Sequence, residues 1–316
     1  MKGRIGLFDI VRSLCVLEIV GFWHMLDYIN CNNTIIRDYG NGLTCSVLAC
    51  FTFISGFFLG KKEINAKSFY WSRLTRFFIP LLLTSLILSI GGWFKSIGQF
   101  ISTLTGISCF FPPQPKTLWY FSMIIIFYAL TPILLYNAIN KTSRVLLRGL
   151  LPLFFFICML HLQHLDERVL IYYPFYLIGI VTKQKKLKYI NNYAAIFILI
   201  LWIMIIMYDL NNNIIMTFVL SALGIYLLFT ISKNIELLFP KANKIFSILS
   251  YASMFAYLFH REVYLVFEII FIKFLHFKSL PIMVVPIMLL SLFIAAYYGQ
   301  KLYDNFISNF LSKKTI

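Results

Sequence analysis

The chain has 316 residues, of which 60% are hydrophobic and only 13% are charged, and its formal net charge is +16. Soluble domains carry charge at about a quarter of their positions, so this composition excludes an ordinary soluble globular domain. The positive charge leaves two classes to separate: a nucleic-acid-binding protein, and a membrane protein with basic loops on one side.

Apolar runs, bounded by polar residues or by Pro and Gly, follow one another along the whole chain. A helix of about 20 apolar residues crosses the hydrocarbon core of a bilayer. The sequence therefore predicts an all-α polytopic membrane protein of about ten transmembrane helices, organised as one domain over residues 1–316. Because several runs are short, nine or eleven spans are alternatives. The predicted spans are 7–27, 43–60, 77–94, 118–137, 146–162, 168–182, 193–209, 214–232, 246–272 and 282–303.

The basic residues set the orientation. With the N-terminus inside, 20 of the 28 Lys and Arg residues fall in inner segments and six in outer ones. Cytoplasmic loops are enriched in Lys and Arg, so both termini are predicted to be cytoplasmic. The basic residues then face the inner leaflet, which argues against nucleic acid and makes the lipid bilayer the expected partner. We expect a multi-pass protein of the cell inner membrane; the sequence does not set the oligomeric state.

The first predicted span contains four ionisable residues: Asp9, Arg12, Glu18 and His24. Charged groups inside a bilayer are costly, so they are candidates for function. Asp9 and Arg12 are three residues apart and share a helix face, which suits either an ion pair or a site. Glu18, near the middle, must face the bundle interior, either protonated or paired with a basic group from another span. His24 lies about 18 Å beyond Arg12 along the axis, near the outer end.

Arg73 and Arg76 precede the third span and are also three residues apart, followed by Pro80. Basic anchoring at the cytoplasmic side explains their charge. Two guanidinium groups on one helix face would also suit a phosphorylated ligand.

The penultimate span carries His260, Arg261 and Glu262 at consecutive positions, after Ser250 and Tyr251. The orientation places His260 deep in the bilayer, where packing alone does not explain a histidine and two charges.

An outer loop rich in proline leads into Trp119, which we expect at the membrane interface. The prolines of this loop are Pro112, Pro113 and Pro115.

The cysteines lack the spacing of a metal site, and no metal is predicted. Cys31 and Cys109 fall in predicted outer loops. A disulfide between them would require an oxidising compartment, and spacing alone leaves it open.

Several of these patterns together resemble the acyltransferase family 3 membrane proteins. The patterns are D-x-x-R followed by H in the first span, SGF in the second, R-x-x-R-x-x-x-P before the third, LWYF followed by P in the fourth, and SY followed by YLFH in the penultimate span. The family consists of ten-helix enzymes that move acyl groups, usually acetyl from acetyl-CoA, onto carbohydrates of the cell surface. The resemblance implies an acyl-CoA donor, a glycan acceptor or its lipid-linked precursor, and O-acylation of a hydroxyl.

The resemblance also implies roles for individual residues. Asp9, Arg12 and His24 match the first motif, with His24 as the catalytic base. Arg73 and Arg76 match the pair that holds CoA from the cytoplasm. Trp119 and His260 match later positions of the family. Glu18 and Glu262 are further candidates because they are charges within predicted spans.

One spacing departs from the family pattern. The family commonly has ten residues between the arginine and the histidine of the first motif, and here Arg12 and His24 are separated by eleven. The extra residue would rotate His24 by about 100° around an ideal helix. A π-bulge would restore the shared face, and such bulges are frequent at functional sites.

A membrane transporter or exporter of a glycan or small molecule is the alternative from another class. Glu18, His24 and His260 would then form a proton or substrate path. Inverted repeats would favour that reading, and the sequence shows none. A non-catalytic scaffold would give no reason for so many buried charges.

Overall fold

The secondary structure is helical throughout the part of the chain that the structure describes. The computed structural model describes residues 6–29, 31–60, 64–111, 117–138, 141–184, 192–207, 213–277 and 280–312. No β-strand occurs in these ranges, and a span in lipid must satisfy its own backbone hydrogen bonds in this way. The predicted all-α class is thus confirmed. The α-helices are α1 (Gly6–Val16), α2 (Met25–Tyr28), α3 (Thr34–Phe57), α4 (Ala66–Arg73), α5 (Ile79–Ile90), α6 (Ile97–Thr105), α7 (Trp119–Leu135), α8 (Thr142–His161), α9 (Glu167–Gln184), α10 (Asn192–Met207), α11 (Ile214–Leu238), α12 (Asn243–Glu268) and α13 (Val285–Ser312).

Shorter helical turns continue or connect these helices in the same ranges. The π-helical segments are Leu17–Trp23, Leu74–Phe78 and Ile269–Phe274, and the 3₁₀ turns are Ile107–Phe110, Pro240–Ala242 and Ile282–Val284.

Each predicted span coincides with a helix. Within the described residues, the helices long and apolar enough to cross a membrane are Thr34–Phe57, Ala66–Ile90, Thr142–His161, Ile214–Leu238 and Ile282–Ile307. Shorter apolar helices occupy Trp119–Leu135 and Ala194–Met207. The protein is therefore an all-α, multi-pass membrane protein, while the count of ten spans and the cytoplasmic termini stay predictions.

Helix boundaries differ from the hydropathy pattern in several places, among them α3, α4 and α6; α4 (Ala66–Arg73) lies entirely before the predicted span 77–94. Helix α3 begins at Thr34, nine residues before the predicted span, because its first turns are polar. Helix α6 lies outside every predicted span. The Ser96 hydroxyl caps its start by accepting from Gln99 N at 3.2 Å, and Gly106 ends it with a left-handed φ of 80°.

The chain forms two compact units. The first comprises Met1–Val47, Asn191–Asp209 and Leu223–Ile316, and the second comprises Leu48–Ile190 and Leu210–Ala222. The single domain expected from the sequence stays a prediction.

In the first unit, α12 packs against α1 and α13. The Ser13 hydroxyl reaches across to donate to the carbonyl oxygen of Phe246 at 2.8 Å. Trp202 on α10 donates its indole N–H to Ser46 Oγ on α3 at 3.2 Å. Polar side chains thus cross-link helices whose contact surfaces are otherwise apolar.

In the second unit, α3 and α9 approach closely because both carry glycine at the crossing. A Cβ atom at Gly56 would overlap the carbonyl oxygen of Tyr176, and one at Gly179 would overlap that of Phe53. Small residues allow such backbone contact in membrane bundles. Tyr176 also hydrogen-bonds Thr131, which ties α9 to α7.

Some predicted features lie outside the described residues. These are the proline loop residues Pro112, Pro113 and Pro115, and the basic residues Lys2, Arg4, Lys61, Lys62, Lys116, Lys185, Lys186, Lys188, Lys278, Lys313 and Lys314. Cys31 and Cys109 are described, and both are free cysteines rather than a disulfide.

Candidate active site

The two histidines that the sequence singled out meet face to face. The imidazole rings of His24 and His260 are stacked, with centroids 4.6 Å apart and an angle of 1° between their planes. His260 is fully buried, and its Nδ1 lies 2.7 Å from the carbonyl oxygen of Tyr257. A carbonyl oxygen only accepts, so Nδ1 of His260 carries a hydrogen. His24 Nδ1 and His260 Nε2 are buried without a hydrogen-bond partner among the described residues. Hydrogen bonds within the described part of the chain thus occupy neither of these two nitrogens.

The other residues of the first motif, Asp9 and Arg12, face α12, the helix that carries His260. Asp9 is buried and accepts a hydrogen bond from Ser250 Oγ at 2.7 Å. Arg12 donates from Nη2 to Ser253 Oγ at 3.2 Å. Both serines, like His260, belong to α12, so Asp9, Arg12 and His24 line up along one neighbour. A direct ion pair between Asp9 and Arg12 stays a prediction.

A π-helical segment, Leu17–Trp23, lies between Arg12 and His24. At its end, the N–H of His24 donates to the carbonyl oxygen of Ile19 at 3.0 Å, five residues back, which is the π pattern. One such turn accommodates an extra residue and offsets the rotation of about 100° that this residue would cause in an α-helix. The bulge that the spacing required is therefore present, and it explains why Arg12 and His24 both contact α12.

Glu18 lies within the π-helical segment and faces the helix bundle. Its Oε1 accepts a hydrogen bond from Thr44 Oγ1 of α3 at 3.0 Å, and its Oε2 is buried with no hydrogen-bond partner in the described chain. The partner on the neighbouring helix is a hydroxyl group rather than the basic group of one alternative, and a protonated Glu18 stays a prediction. Glu18 thus holds the π-helical segment to α3.

Arg261 and Glu262 follow His260 in α12 and differ in their relation to it. Arg261 is buried and lies within electrostatic range of both His24 and His260. Both carboxylate oxygens of Glu262 are buried, and neither has a hydrogen-bond partner in the described ranges. Two residues after His260, Glu262 lies about 200° around the helix and so does not share its face.

In the second unit, Arg73 and Arg76 have different surroundings. The Arg73 guanidinium lies over two aromatic rings, 5.2 Å from the centroid of Phe69 and 4.9 Å from that of Tyr128. Its Nε is buried and has no hydrogen-bond partner among the residues described. Arg76 lies in the π-helical segment Leu74–Phe78 and is exposed. Thus Arg73 is held by its neighbours, whereas Arg76 is open to an approaching anion.

Trp119 belongs to a separate cluster in the second unit. The Arg168 guanidinium lies 3.8 Å from its ring centroid, and Tyr172 stacks at 6.4 Å. Asp166 accepts from the side chain of Arg168 in a bidentate ion pair and from the Arg168 backbone N–H at 2.9 Å. An open cavity of about 590 Å³ borders Asp166 and Arg168. The cluster thus fixes the Arg168 guanidinium over Trp119.

Sequence reasoning missed the residues that orient the first motif, namely Thr44, Ser253 and Tyr264. Tyr264 donates its hydroxyl to the carbonyl oxygen of Val20 at 2.8 Å, and its ring contacts His260. One local signal existed for Tyr264, because it lies four residues after His260 and therefore on the same helix face. Thr44 and Ser253 are ordinary polar residues within apolar helices and carry no comparable signal.

This arrangement provides a stacked imidazole with one ring nitrogen that no described residue hydrogen-bonds, and a hydrogen-bonded arginine further along the same helix face. A neutral imidazole can take a proton from a hydroxyl group. The fixed guanidinium can bind a phosphate or another anionic group.

Comparison with known families gives one match. The family model described as an acyltransferase domain, Acyl_transf_3, matches residues 5–299, nearly the whole chain. No curated protein matches, and no solved structure matches.

Proposed function

The chain belongs to acyltransferase family 3 and is a membrane-embedded acyltransferase, and from this premise we propose that it moves an acyl group, acetyl in the simplest case, from acyl-CoA to a hydroxyl of a cell-surface glycan or its lipid-linked precursor. The observation that carries the proposal is the imidazole of His24. It is stacked on His260, its Nδ1 has no hydrogen-bond partner within the ranges that the structure describes, and the π-helical segment brings it onto the same face as Arg12.

His24 acts as the general base in this proposal. Its unprotonated ring nitrogen takes the proton of the acceptor hydroxyl as the hydroxyl oxygen attacks the thioester carbonyl carbon. The tetrahedral intermediate then collapses, the carbon–sulfur bond breaks, and the CoA sulfur leaves with the proton that His24 returns. The products are the O-acylated acceptor and free CoA, and His24 is again neutral.

Arg12 acts at a distance from the reacting atoms. It lies about 18 Å from His24 along the helix axis, too far to contact the same carbonyl group. Its hydrogen bond to Ser253 and its position on the α12-facing side support a role in holding the acyl donor rather than in proton transfer. Asp9, hydrogen-bonded to Ser250 three residues earlier on α12, positions this end of α1.

Arg73 and Arg76 are the proposed phosphate-binding residues of the donor site. Their charge, the exposure of Arg76 and the Nε of Arg73, which has no hydrogen-bond partner in the described segments, support this assignment. Because the family pattern binds CoA from the cytoplasm, we propose that the protein lies in the inner membrane. The apolar runs and the loop charges support about ten spans with both termini inside. Trp119, with Arg168 beside it, remains a candidate site residue, and the predicted orientation puts it on the outer side of the membrane.

The alternative function for a protein with buried His and Glu residues is transport of a glycan without acyl transfer. The test of the proposal uses the purified native protein in liposomes with labelled acetyl-CoA, with and without a glycan acceptor. We expect CoA release that depends on the glycan, together with label on the glycan. Glycan flux without CoA release would overturn the proposed reaction.

A further inference from the structure

Tyr264 connects the π-helical segment of the first span with the pair of stacked histidines. It is fully buried on α12, and its hydroxyl donates to the carbonyl oxygen of Val20 at 2.8 Å. Val20 is in the middle of the segment Leu17–Trp23 and one turn before His24. The hydroxyl therefore holds the turn of backbone that presents the His24 side chain.

The ring of Tyr264 supports the same site from its other side. Its centroid lies 5.6 Å from that of His260 with an angle of 73° between the planes, an edge-to-face contact. His260 in turn stacks on His24. Tyr28, four residues after His24, also packs edge-to-face on Tyr264, with centroids 5.2 Å apart. Tyr264 thus contacts the backbone before His24, the helix after His24 and the ring of His260.

A π-type turn requires such support because it is rare and less favourable than continued α-helix. The turn in the first span accommodates the one residue that would otherwise rotate His24 away from α12. The Glu18–Thr44 hydrogen bond holds the segment to α3, and the Tyr264 hydroxyl holds it to α12. These bonds come from neighbouring helices, so the segment alone does not determine the position of the histidine.

We infer that Tyr264 is a positioning residue for the acyl transfer: its hydroxyl fixes the π-helical segment through Val20 and thereby aims His24 at the reacting hydroxyl. This inference rests on the proposed function, in which His24 is the base. Tyr264 itself does not touch the substrate and supplies no proton to the reaction.

The first test replaces Tyr264 by Phe, which keeps the ring contacts and removes only the hydroxyl. We expect kcat to fall by about 10- to 100-fold, because a small displacement of a catalytic group has effects of this size. The KM for acyl-CoA is expected to stay near the native value, whereas the loss of one buried hydrogen bond should lower the thermal midpoint slightly. The matched control is Tyr173→Phe, which removes another buried tyrosine hydroxyl that donates to a backbone carbonyl, that of Gly149 at 3.4 Å. This control should keep the native kcat.

The second test uses a shortened protein in which Arg12 and His24 share a helix face without a π-type turn. Deletion of Phe22, which is 37% exposed within the π-helical segment, leaves ten residues between Arg12 and His24. An ordinary α-helix then places both side chains within about 20° of each other. The shortened protein is expected to transfer acyl groups, and adding Tyr264→Phe should change its kcat by less than about twofold.

The outcomes separate this inference from the proposed function. If native protein is active, His24→Ala is inactive and Tyr264→Phe keeps full activity, only the positioning role is overturned. An equal loss from Tyr264→Phe in the native and the shortened proteins also overturns it, as does a folded but inactive shortened protein. If His24→Ala keeps native activity, the base assignment in the proposed function fails instead.

Discussion

Arg76→Gln is expected to raise the KM for acyl-CoA and to leave kcat nearly unchanged. Arg76 is exposed, so its guanidinium can pair with a donor phosphate without disturbing the core. A hydrogen bond to a charged group contributes about 1.5–3 kcal/mol, which corresponds to a roughly 10- to 140-fold change in binding at about 1.4 kcal/mol per factor of ten. Because solvent and salt screen an exposed pair, we expect the lower end, about 10-fold.

Arg73→Gln should raise the same KM and also destabilise the protein. Arg73 lies over the rings of Phe69 and Tyr128, and each cation–π contact contributes about 0.5–2 kcal/mol depending on burial. We therefore expect a lower thermal midpoint for Arg73→Gln and a native midpoint for Arg76→Gln.

The assay is CoA release at varied acyl-CoA concentration and saturating acceptor, with unfolding followed in the same detergent. Arg148→Gln is the matched control, since Arg148 is a half-buried arginine that, like Arg73, lies over a tyrosine ring, 5.9 Å from the Tyr136 centroid. Its loss should leave the KM unchanged. A fall in kcat at constant KM for Arg76→Gln, or an equal rise in KM for Arg148→Gln, would refute the assignment of the donor site.

Two stability predictions follow from buried contacts. Thr44→Val removes the hydrogen bond to Glu18 Oε1 and should destabilise the protein by about 1–3 kcal/mol; an unchanged thermal midpoint would contradict the role of this bond. Gly56→Ala forces a Cβ atom into the carbonyl oxygen of Tyr176 and should cost about 1–3 kcal/mol or more. Gly98→Ala is the control, because a Cβ there meets only Ser96 Oγ, at 3.7 Å, and it should be neutral or slightly stabilising. Equal effects of the two glycine substitutions would argue against close packing of α3 and α9.

The helices were predictable from the sequence because a helix in lipid needs a long apolar run, and hydropathy detects that run directly. The polar first turns of α3, helix α4 and the short helix α6 escaped detection, since none of them is part of a long apolar run. Ser96 and Gly106 did offer capping signals for α6, but such signals indicate a helix only beside a periodic pattern.

The candidate residues of the site were predictable because ionisable groups are rare in membrane spans. Their arrangement was not. The stacking of His24 on His260 joins residues 236 positions apart, and the bond from Tyr264 to Val20 spans 244. The eleven-residue spacing alone could not predict whether a π-bulge forms, because the bulge depends on contacts from α3 and α12 that no local pattern encodes.

The central claim is that His24 is the base for acyl transfer, and the most direct test is the rate of label transfer from acetyl-CoA to the glycan by His24→Ala. General base catalysis contributes about 10²- to 10⁴-fold, so we expect the rate to fall at least about 100-fold while the protein keeps its native thermal midpoint. His161→Ala, which removes an exposed histidine at the end of α8, should keep the native rate. Transfer by His24→Ala at the native rate would contradict the claim.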